Sequence, residues 1–559
     1  MKNVDQRVWY VIGLSVAVVI IILFLEWRTN YKLREKIKQQ WGKAPVWSRF
    51  DHEDSLKDAW KIAQTYQKFE SEIDDITWYD LDMTEVFEAV NGTYSSIGSE
   101  ALYQRLRNFD FNDQSVEKLE ELIAFYEEQP EKRAAIQFRF GQLGKKDKNF
   151  VKHYLSEAAG KELPHFYLYV FFGILPLIGA GILAFGQVFG LYLLVGSICL
   201  NTFYYLSKKE RLETELNSMR YFVQGLGTAK AISKIETPVQ QQLKSNLTPL
   251  KSILTFAVSF RVKSNSEAEM LFDYINIMFM LPFISYHFAL RRLAKHNKEA
   301  IILWDLLGEL EAAYAVLNFR LYMPKTAVPK FQTGGVSAEN SYHPLLSASA
   351  VVNPVAWENN TLVTGSNASG KSTYVKSVAI NCILAQTIHT AAADHFLMQR
   401  GHVLTSMAVE DDLFEGDSYF VAEIKSIKRV LDQVATGEHC YCFIDEILKG
   451  TNTIERIAAS ASIIDWLKDY PSIAFVATHD IELTEILKYS CTNLHFEEQI
   501  EADGISFDYQ VRSGAAKTRN ALELLQVMSY PKVIVDSAKE EAAFFDKHRL
   551  WNILNTPTV

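Results

Sequence analysis

Residues 361–373 read TLVTGSNASGKST. Gly365 and Gly370 bracket Ser366, Asn367, Ala368 and Ser369, and Lys371, Ser372 and Thr373 follow. A short apolar run, Leu362-Val363, leads in, and the helical pattern TYVKSVAINCILAQ leads out. This is G-x-x-x-x-G-K-[ST] between a strand and a helix. Glycines let the backbone curl so that successive N–H groups face phosphate oxygens. The N-terminus of the following helix adds a favourable dipole. The Lys371 side chain can reach the β- and γ-phosphates, and the Ser372 hydroxyl can hold Mg²⁺. The chemistry these residue types suit is binding of a nucleoside triphosphate, ATP with Mg²⁺, by Gly365 through Thr373.

A second motif supplies what hydrolysis would need. Residues 439–446 read HCYCFIDE, an apolar strand pattern ending in two carboxylates. In such nucleotide hydrolases the first carboxylate, Asp445, secures Mg²⁺, and the second, Glu446, orients and deprotonates the attacking water. A third strand pattern, SIAFVA at 472–477, ends at Thr478-His479-Asp480. A histidine there can contact the γ-phosphate or polarise the water; it can equally be a capping residue in a strand–helix turn. Cys440 and Cys442 have no cysteine or histidine pair at zinc spacing and read as small core residues.

These motifs need an α/β domain with much parallel sheet, and the pattern from 342 to about 540, short β-rich runs between helices, is of that kind. The turn-rich stretch 329–341 reads as its linker. Upstream the pattern is helical, with long apolar interruptions. Residues 8–25 carry no charge for 18 positions, about 27 Å of helix and enough to cross a hydrocarbon core. A cleaved secretory signal is the alternative, but Glu26-Trp27-Arg28 follows where a small-residue cleavage site would stand. Residues 166–206 are uncharged for 41 positions, about 60 Å as one helix, so two crossings turning near Gly186-Gln187 fit better. Met270–Leu290 is also apolar but holds Asp273, Asn276, Pro282 and His287, which makes it a buried or interfacial helix rather than a span.

Positive charge sets the expected orientation. Lys2 and Arg7 precede the first run, and Arg28, Lys32, Arg34, Lys36, Lys38 and Lys43 follow it; Lys152, Lys161, Lys208, Lys209 and Arg211 flank the second. The N-terminus is therefore expected outside and everything after Arg28, the hairpin apart, on the cytosolic side. The chain has 559 residues, 48% of them hydrophobic and 22% charged, with formal net charge −10. That excludes a disordered or collagen-like chain and gives no support to a strongly basic nucleic-acid binder. Five scattered cysteines point to a reducing compartment rather than a disulfide framework.

Read together, the motifs resemble the ATPase domain of the MutS family. They occur in the family's order: YHPLL (342–346), TGSNASGKSTY, LTSMAVEDDLFEGDSYFVAEI (404–424), DEILKGTNT (445–453), FVATHDIELTEIL (475–487) and GAAKTRNALELLQVMSYPKVIVDSA (514–538). Residues 77–109 and 303–319 resemble, more weakly, the family's helical core and lever. The organisation this implies is an N-terminal transmembrane helix (1–27), a juxtamembrane stalk (28–71), helical core (72–165), transmembrane hairpin (166–206), core and lever (207–328), linker (329–341), ATPase domain (342–540) and tail (541–559). The resemblance implies a P-loop ATPase of ABC type working as a homodimer that closes on ATP. Ser418 would reach across to the partner's γ-phosphate, with Gly450, Thr451 and Asn452 at the same interface. Lys449 stands where better-known members carry Arg, and Leu448 where they carry Gly.

The family also implies DNA, mismatched or branched, as ligand, in mismatch repair or related processing. The 44 residues from 28 to 71 are too few for the family's mismatch-reading domain. The expected protein is a membrane-anchored variant held by about three helices, with its ATPase domain on the cytosolic face of a bacterial cell membrane. The alternative is a nucleotide-gated membrane scaffold, or a transporter-associated ATPase, that binds no DNA; no LSGGQ signature lies ahead of Asp445.

Overall fold

The protein is described from a computed structural model, which covers residues 6–46, 52–146, 149–157, 162–260, 267–366, 369–407, 419–501, 504–516 and 521–551. The chain divides into two compact units, Met1–Glu70 with Glu85–Tyr322, and Ser71–Thr84 with Met323–Val559.

The first unit is helical. Its opening helix, α1 (Gln6–Gln40), takes in the apolar run and continues as a charged helix to Gly42, whose positive φ of 70° ends it. α2 (Ser96–Arg107) starts at Ser95, whose hydroxyl accepts from the Gly98 amide. α3 (Phe166–Ala184) and α4 (Phe189–Ile232) are both long and apolar enough to cross a membrane, and Gly186 turns the chain between them. The two backbones close tightly at Gly190, where a Cβ would sit 2.3 Å from the Leu183 nitrogen. α4 does not stop where its charges begin. It kinks at Leu212 (φ −120°) and runs on, burying Tyr221, Phe222, Val223 and Leu226. α5 (Asn297–Tyr322) is the centre of this unit, buried on all sides from Leu310 to Phe319.

A buried carboxylate ties α5 to the start of α2. Glu311 is 1% exposed and accepts from the Tyr94 amide at 2.5 Å, the Ser95 amide at 3.0 Å and the Ser95 hydroxyl. The N-terminus of α2 favours a negative charge there. Burial nevertheless raises the Glu311 pKa from 4.5 to about 7, against the pull of the Ser95 and Tyr94 hydrogen bonds.

The second unit is α/β. Its strands are β1 (Lys330–Phe331), β2 (Val336–Ser341), β3 (Asn353–Trp357), β4 (Thr361–Thr364), β5 (His395–Met398), β6 (His402–Ser406), β7 (Cys440–Asp445), β8 (Ser472–Thr478), β9 (Thr492–Glu501) and β10 (Gly504–Ser513). They form a four-stranded sheet, β1-β5-β2-β3, and a six-stranded sheet, β10-β9-β4-β8-β7-β6. In the larger sheet only β10 runs antiparallel to its neighbour. A parallel sheet is covered on both faces. One face places Cys440, Cys442, Ile444 and Val476 against Ile427, Val430 and Val434 of α7 (Tyr419–Val434) and Ile464 and Leu467 of α8 (Thr453–Leu467). The two β7 cysteines are thus free, fully buried core residues. On the other face Trp357 packs on Phe443 and Phe475, both at 5.0 Å, beside α6 (Lys371–Thr387).

Replacing Glu311 with Ala strands the buried amide and hydroxyl of Ser95 and the partly buried Tyr94 amide, each buried donor costing roughly 1–3 kcal/mol, so the Glu311→Ala protein should lose about 3 kcal/mol of stability in chemical unfolding. The raised pKa adds a pH signature. The folded chain holds a proton that the unfolded one releases near pH 4.5, so this contribution is complete below that pH and is lost as pH rises toward 7. Glu311→Gln should remove that part of the fall in unfolding temperature between about pH 4.5 and 7.

Candidate nucleotide-binding site

The sheet register brings the three sequence motifs to one edge. Ala477 of β8 pairs with Val363 of β4 on one side and Asp445 of β7 on the other. The three strands therefore end level, and Gly365, His479 and Glu446 leave from the same carboxyl-terminal edge. In open α/β sheets that edge is where ligands bind.

The loop after β4 has the backbone its glycines allow. Gly365 (φ 140°) and Gly370 (φ 92°) lie in the region L side chains rarely adopt, and Gly370 caps α6. A Cβ on Gly370 would lie 2.9 Å from the Tyr509 ring, which rests on the loop. Ser369 donates its hydroxyl to the Ser366 carbonyl at 2.6 Å. Ser372 is half-buried and Thr373 exposed on the first turn of α6. Asn367, Ala368 and Ser418 lie outside the described residues.

Lys371 is fully buried, and burial lowers its pKa while the charges of Asp445 and Glu446 oppose that. Its Nζ lies 3.4 Å from His479 Nε2, and the same ring nitrogen lies 3.0 Å from Glu446 Oε1. A carboxylate only accepts, so the ring N–H points at Glu446 and the ammonium stands beside it. Lys449 Nζ is 3.5 Å from the other Glu446 oxygen. Burial would raise the Glu446 pKa, but the His479 hydrogen bond and the Lys449, His479 and Lys371 charges hold it down at about 2. Glu446 is also left-handed (φ 63°), and its N–H donates to the Ala477 carbonyl at 2.9 Å. Two buried oxygens here, Asp445 Oδ1 and Ser366 Oγ, have no hydrogen-bond partner. Buried polar atoms are normally satisfied, so orphans at this edge fit a missing ligand: a cation for the carboxylate, a phosphate oxygen for the hydroxyl.

The turn that follows β7 is held by a residue of the 404–424 motif to which the sequence assigned no role. Glu423 of α7, 3% exposed, accepts from the Lys449 amide at 2.7 Å and the Gly450 amide at 3.3 Å. Leu448 is left-handed at φ 57° within this turn. Asn452 caps α8 by accepting from the Glu455 amide at 3.0 Å, and the Thr451 hydroxyl donates to the Glu455 carboxylate at 3.1 Å. Asp480, next to His479, takes a bidentate pair from Arg456 of α8 at 2.8 and 2.6 Å. A glutamate on an amphipathic helix reads from sequence as a solvated face, so Glu423, although inside the 404–424 motif, was not singled out. The only hint at Asp480 was its place after His479.

Glu423→Ala frees the two turn amides and lets the Glu446 backbone relax. Turnover should fall about ten- to a hundredfold through misplacement, while nucleotide affinity changes by less than about twofold. Single-turnover hydrolysis alongside equilibrium nucleotide binding separates the two.

Comparison with known proteins finds relatives of the C-terminal region. Residues 361–546 match the family model described as MutS domain V. The chain is 31% identical over 222 residues to a DNA mismatch repair protein MutS of Natronomonas pharaonis, covering 38% of this chain and 26% of that protein. It is 30% identical over 248 residues to the human MutS protein homolog 4, covering 41% and 26%. The match to a DNA mismatch repair protein MutS 2 of Haloarcula marismortui is 31% over 185 residues, covering 32% and 19%. The chain thus spans about a quarter or less of the length of these relatives. The C-terminal region, residues 361–546, is a P-loop ATPase domain related to domain V of MutS proteins.

Proposed function

We propose that the chain is a membrane-anchored MutS-related ATPase in which binding and hydrolysis of ATP close and open a homodimer. The observation that carries the reading is the meeting of buried Lys371, the Glu446–His479 pair and the orphaned Asp445 oxygen at one sheet edge. Gly365 through Gly370, with Lys371 and Thr373, hold the phosphates. Ser372 and Asp445 hold Mg²⁺, which when bound offsets phosphate charge. Glu446 orients the attacking water and accepts its proton, and His479 steadies Glu446. A carboxylate held near pKa 2 is a weak base. His479 and Lys449 are the main groups holding it there, and Lys371 the least, so the negative charge of phosphate beside these cations raises Glu446 toward the range where it works. A cavity of about 330 Å³ beside the loop, bordered by His343, Asn353, Tyr374 and Tyr509, suits the base and sugar.

At the dimer face Ser418 supplies the contact in trans, with Gly450, Thr451 and Asn452 around it. α3, α4 and the apolar part of α1 cross the membrane, with the N-terminus outside and the ATPase domain on the cytosolic side of a bacterial cell membrane. Mismatched or branched DNA is the ligand that the relatives' names suggest, and the membrane segment stands in place of part of the DNA-handling apparatus.

In Glu446→Gln the purified chain should still bind ATP while turnover falls about 10²- to 10⁴-fold; in Lys371→Ala nucleotide binding itself should be lost. Undiminished hydrolysis in the first variant, or undiminished binding in the second, contradicts the assignment. For DNA, the ATPase rate in detergent is compared across homoduplex, mismatched and branched molecules. Stimulation by the mismatched or branched class is expected, and a flat response removes DNA from the account.

A further inference from the structure

The apolar stretch that sequence marks as neither span nor surface is two short helices, Glu267–Phe279 and Leu281–Leu293. They are broken at Met280, which is left-handed at φ 54°. The break strands a carbonyl, because the Met278 oxygen would be paired by residue 282, which is proline. α3 has the same defect: Pro176 offers no N–H to the Phe172 carbonyl. One side chain repairs both. Asn201 of α4, fully buried, donates its amide nitrogen to the Phe172 carbonyl at 2.9 Å and the Met278 carbonyl at 2.7 Å. Gly173 makes the approach possible, since a Cβ there would lie 2.5 Å from the Phe279 carbonyl oxygen.

The contacts give the depth of this element along the helix pair. Gly173 lies seven residues after Phe166, and Asn201 seven before Lys208, so the break sits about 10 Å in from where α3 begins and the charges on α4 resume. Three to four residues nearer that boundary, Phe283 stacks on Tyr169 at 4.7 Å and meets Tyr205 at 5.4 Å. At the boundary itself His287 stacks on Phe166 at 3.7 Å. The chain enters where it leaves: the Ser259 hydroxyl donates to the Ser285 hydroxyl at 2.9 Å, and Phe256 stacks on Phe288 at 5.5 Å. Asp273 is exposed six residues before Phe279; a helix carried deeper from the break would set that charge near mid-bilayer.

We infer that the helix pair Glu267–Phe279 and Leu281–Leu293, with residues 256–260 at its foot, is a re-entrant element, whose Met280 tip enters the cytosolic leaflet beside α3 and α4 and returns to the same side. Its exposed apolar side chains, Phe256, Tyr274, Ile275 and Phe288, meet lipid acyl chains, as Phe171, Ile174 and Leu177 do on the neighbouring α3. Irregular backbone at membrane depth is tolerated only where protein satisfies its polar groups, which is what Asn201 does. The inference rests on α3 and α4 crossing the bilayer.

The test uses the full chain in phosphatidylcholine liposomes, with Cys199 and Cys491 replaced by Ser and single cysteines placed at Leu177, Ile275, Phe288 or Tyr489. Each carries an NBD fluorophore, quenched by doxyl-labelled phosphatidylcholine. Labels at Leu177, Ile275 and Phe288 should be quenched several-fold more than one at Tyr489, which is 93% exposed in the ATPase unit. Quenching at Leu177 without quenching at Ile275 and Phe288 overturns the re-entrant element alone, and means that protein or water covers that face. No quenching at Leu177 overturns the membrane crossing itself. An impermeant maleimide should label Asp273→Cys and Lys295→Cys from the same side; labelling from opposite sides makes the stretch a span and defeats the proposal. Asn201→Leu should lower quenching at Ile275 at least twofold and leave Leu177 unchanged, and unaltered quenching at Ile275 would refute the role given to Asn201.

Discussion

Burying an ammonium is costly unless charge of the opposite sign is close. Lys371 is buried, and the carboxylates that offset it, Asp445 and Glu446, come from the end of β7, two strands away in the sheet. That single electrostatic requirement explains much of the second unit. β4, β8 and β7 must end level, so their register must hold, and it holds because both faces of the sheet are filled. Cys440, Cys442 and Ile444 pack toward α7 and α8, while Phe443 and Phe475 close on Trp357. A slip of one residue in β7 would exchange those two sets and move Asp445 and Glu446 to opposite sides of the edge. The left-handed backbone at Glu446 and Leu448 is a further cost at the same place, offset by the Ala477 carbonyl and by the Glu423 carboxylate beneath the turn.

The helical unit uses buried charge differently. Glu311 and Glu100 are both inaccessible and both have raised pKa values, about 7 and about 8. Desolvation dominates in each, and the partners are structural donors: the Tyr94 and Ser95 groups for Glu311, and the Trp304 indole N–H and Asn149 amide for Glu100. Lys152 sits beside Glu100 and pairs with Asp305 at 2.8 Å. These groups fix the angle at which α2 meets α5, much as a buried polar residue fixes register in a helical bundle.

What could be read in advance follows from the same physics. The phosphate loop was legible because glycine spacing, a strand and a helix start coincide in one short stretch, and the β7 carboxylates because an apolar run ends on them. The parallel sheet was legible from runs of apolar residues too short for helices. The continuation of α4 past Leu206 was not, because Lys208, Lys209, Glu210 and Arg211 look like the end of an apolar element yet are good helix formers. Glu423 and Asn201 were invisible for a shared reason. Each is a polar residue whose worth lies in backbone groups far away in sequence, and spacing carries no trace of such a partner. Pro282 was legible in the Met270–Leu290 stretch, but Pro176, and the repair of both defects by one amide, were not.

The short segment Ser71–Thr84 completes the second unit although it lies among first-unit residues in sequence. Four of its side chains hold it there. Asp80 accepts from the Thr405 hydroxyl at 2.6 Å and the Met407 amide at 2.9 Å, at the end of β6. Asp74 pairs with Arg429 of α7, Asp82 with Lys376 of α6 at 2.7 Å, and Ser71 with His402, which in turn meets Glu438 at 2.5 Å. The chain therefore crosses between the two units three times: into the ATPase unit after Glu70, back before Glu85, and into it again after Tyr322. The first two of these crossings are pinned to the helix that begins at Lys371 and to the strand that precedes residues 408–418. Asp80 is 2% exposed, so breaking its two hydrogen bonds would strand a buried carboxylate, a cost that the partly solvated Asp82–Lys376 pair does not carry.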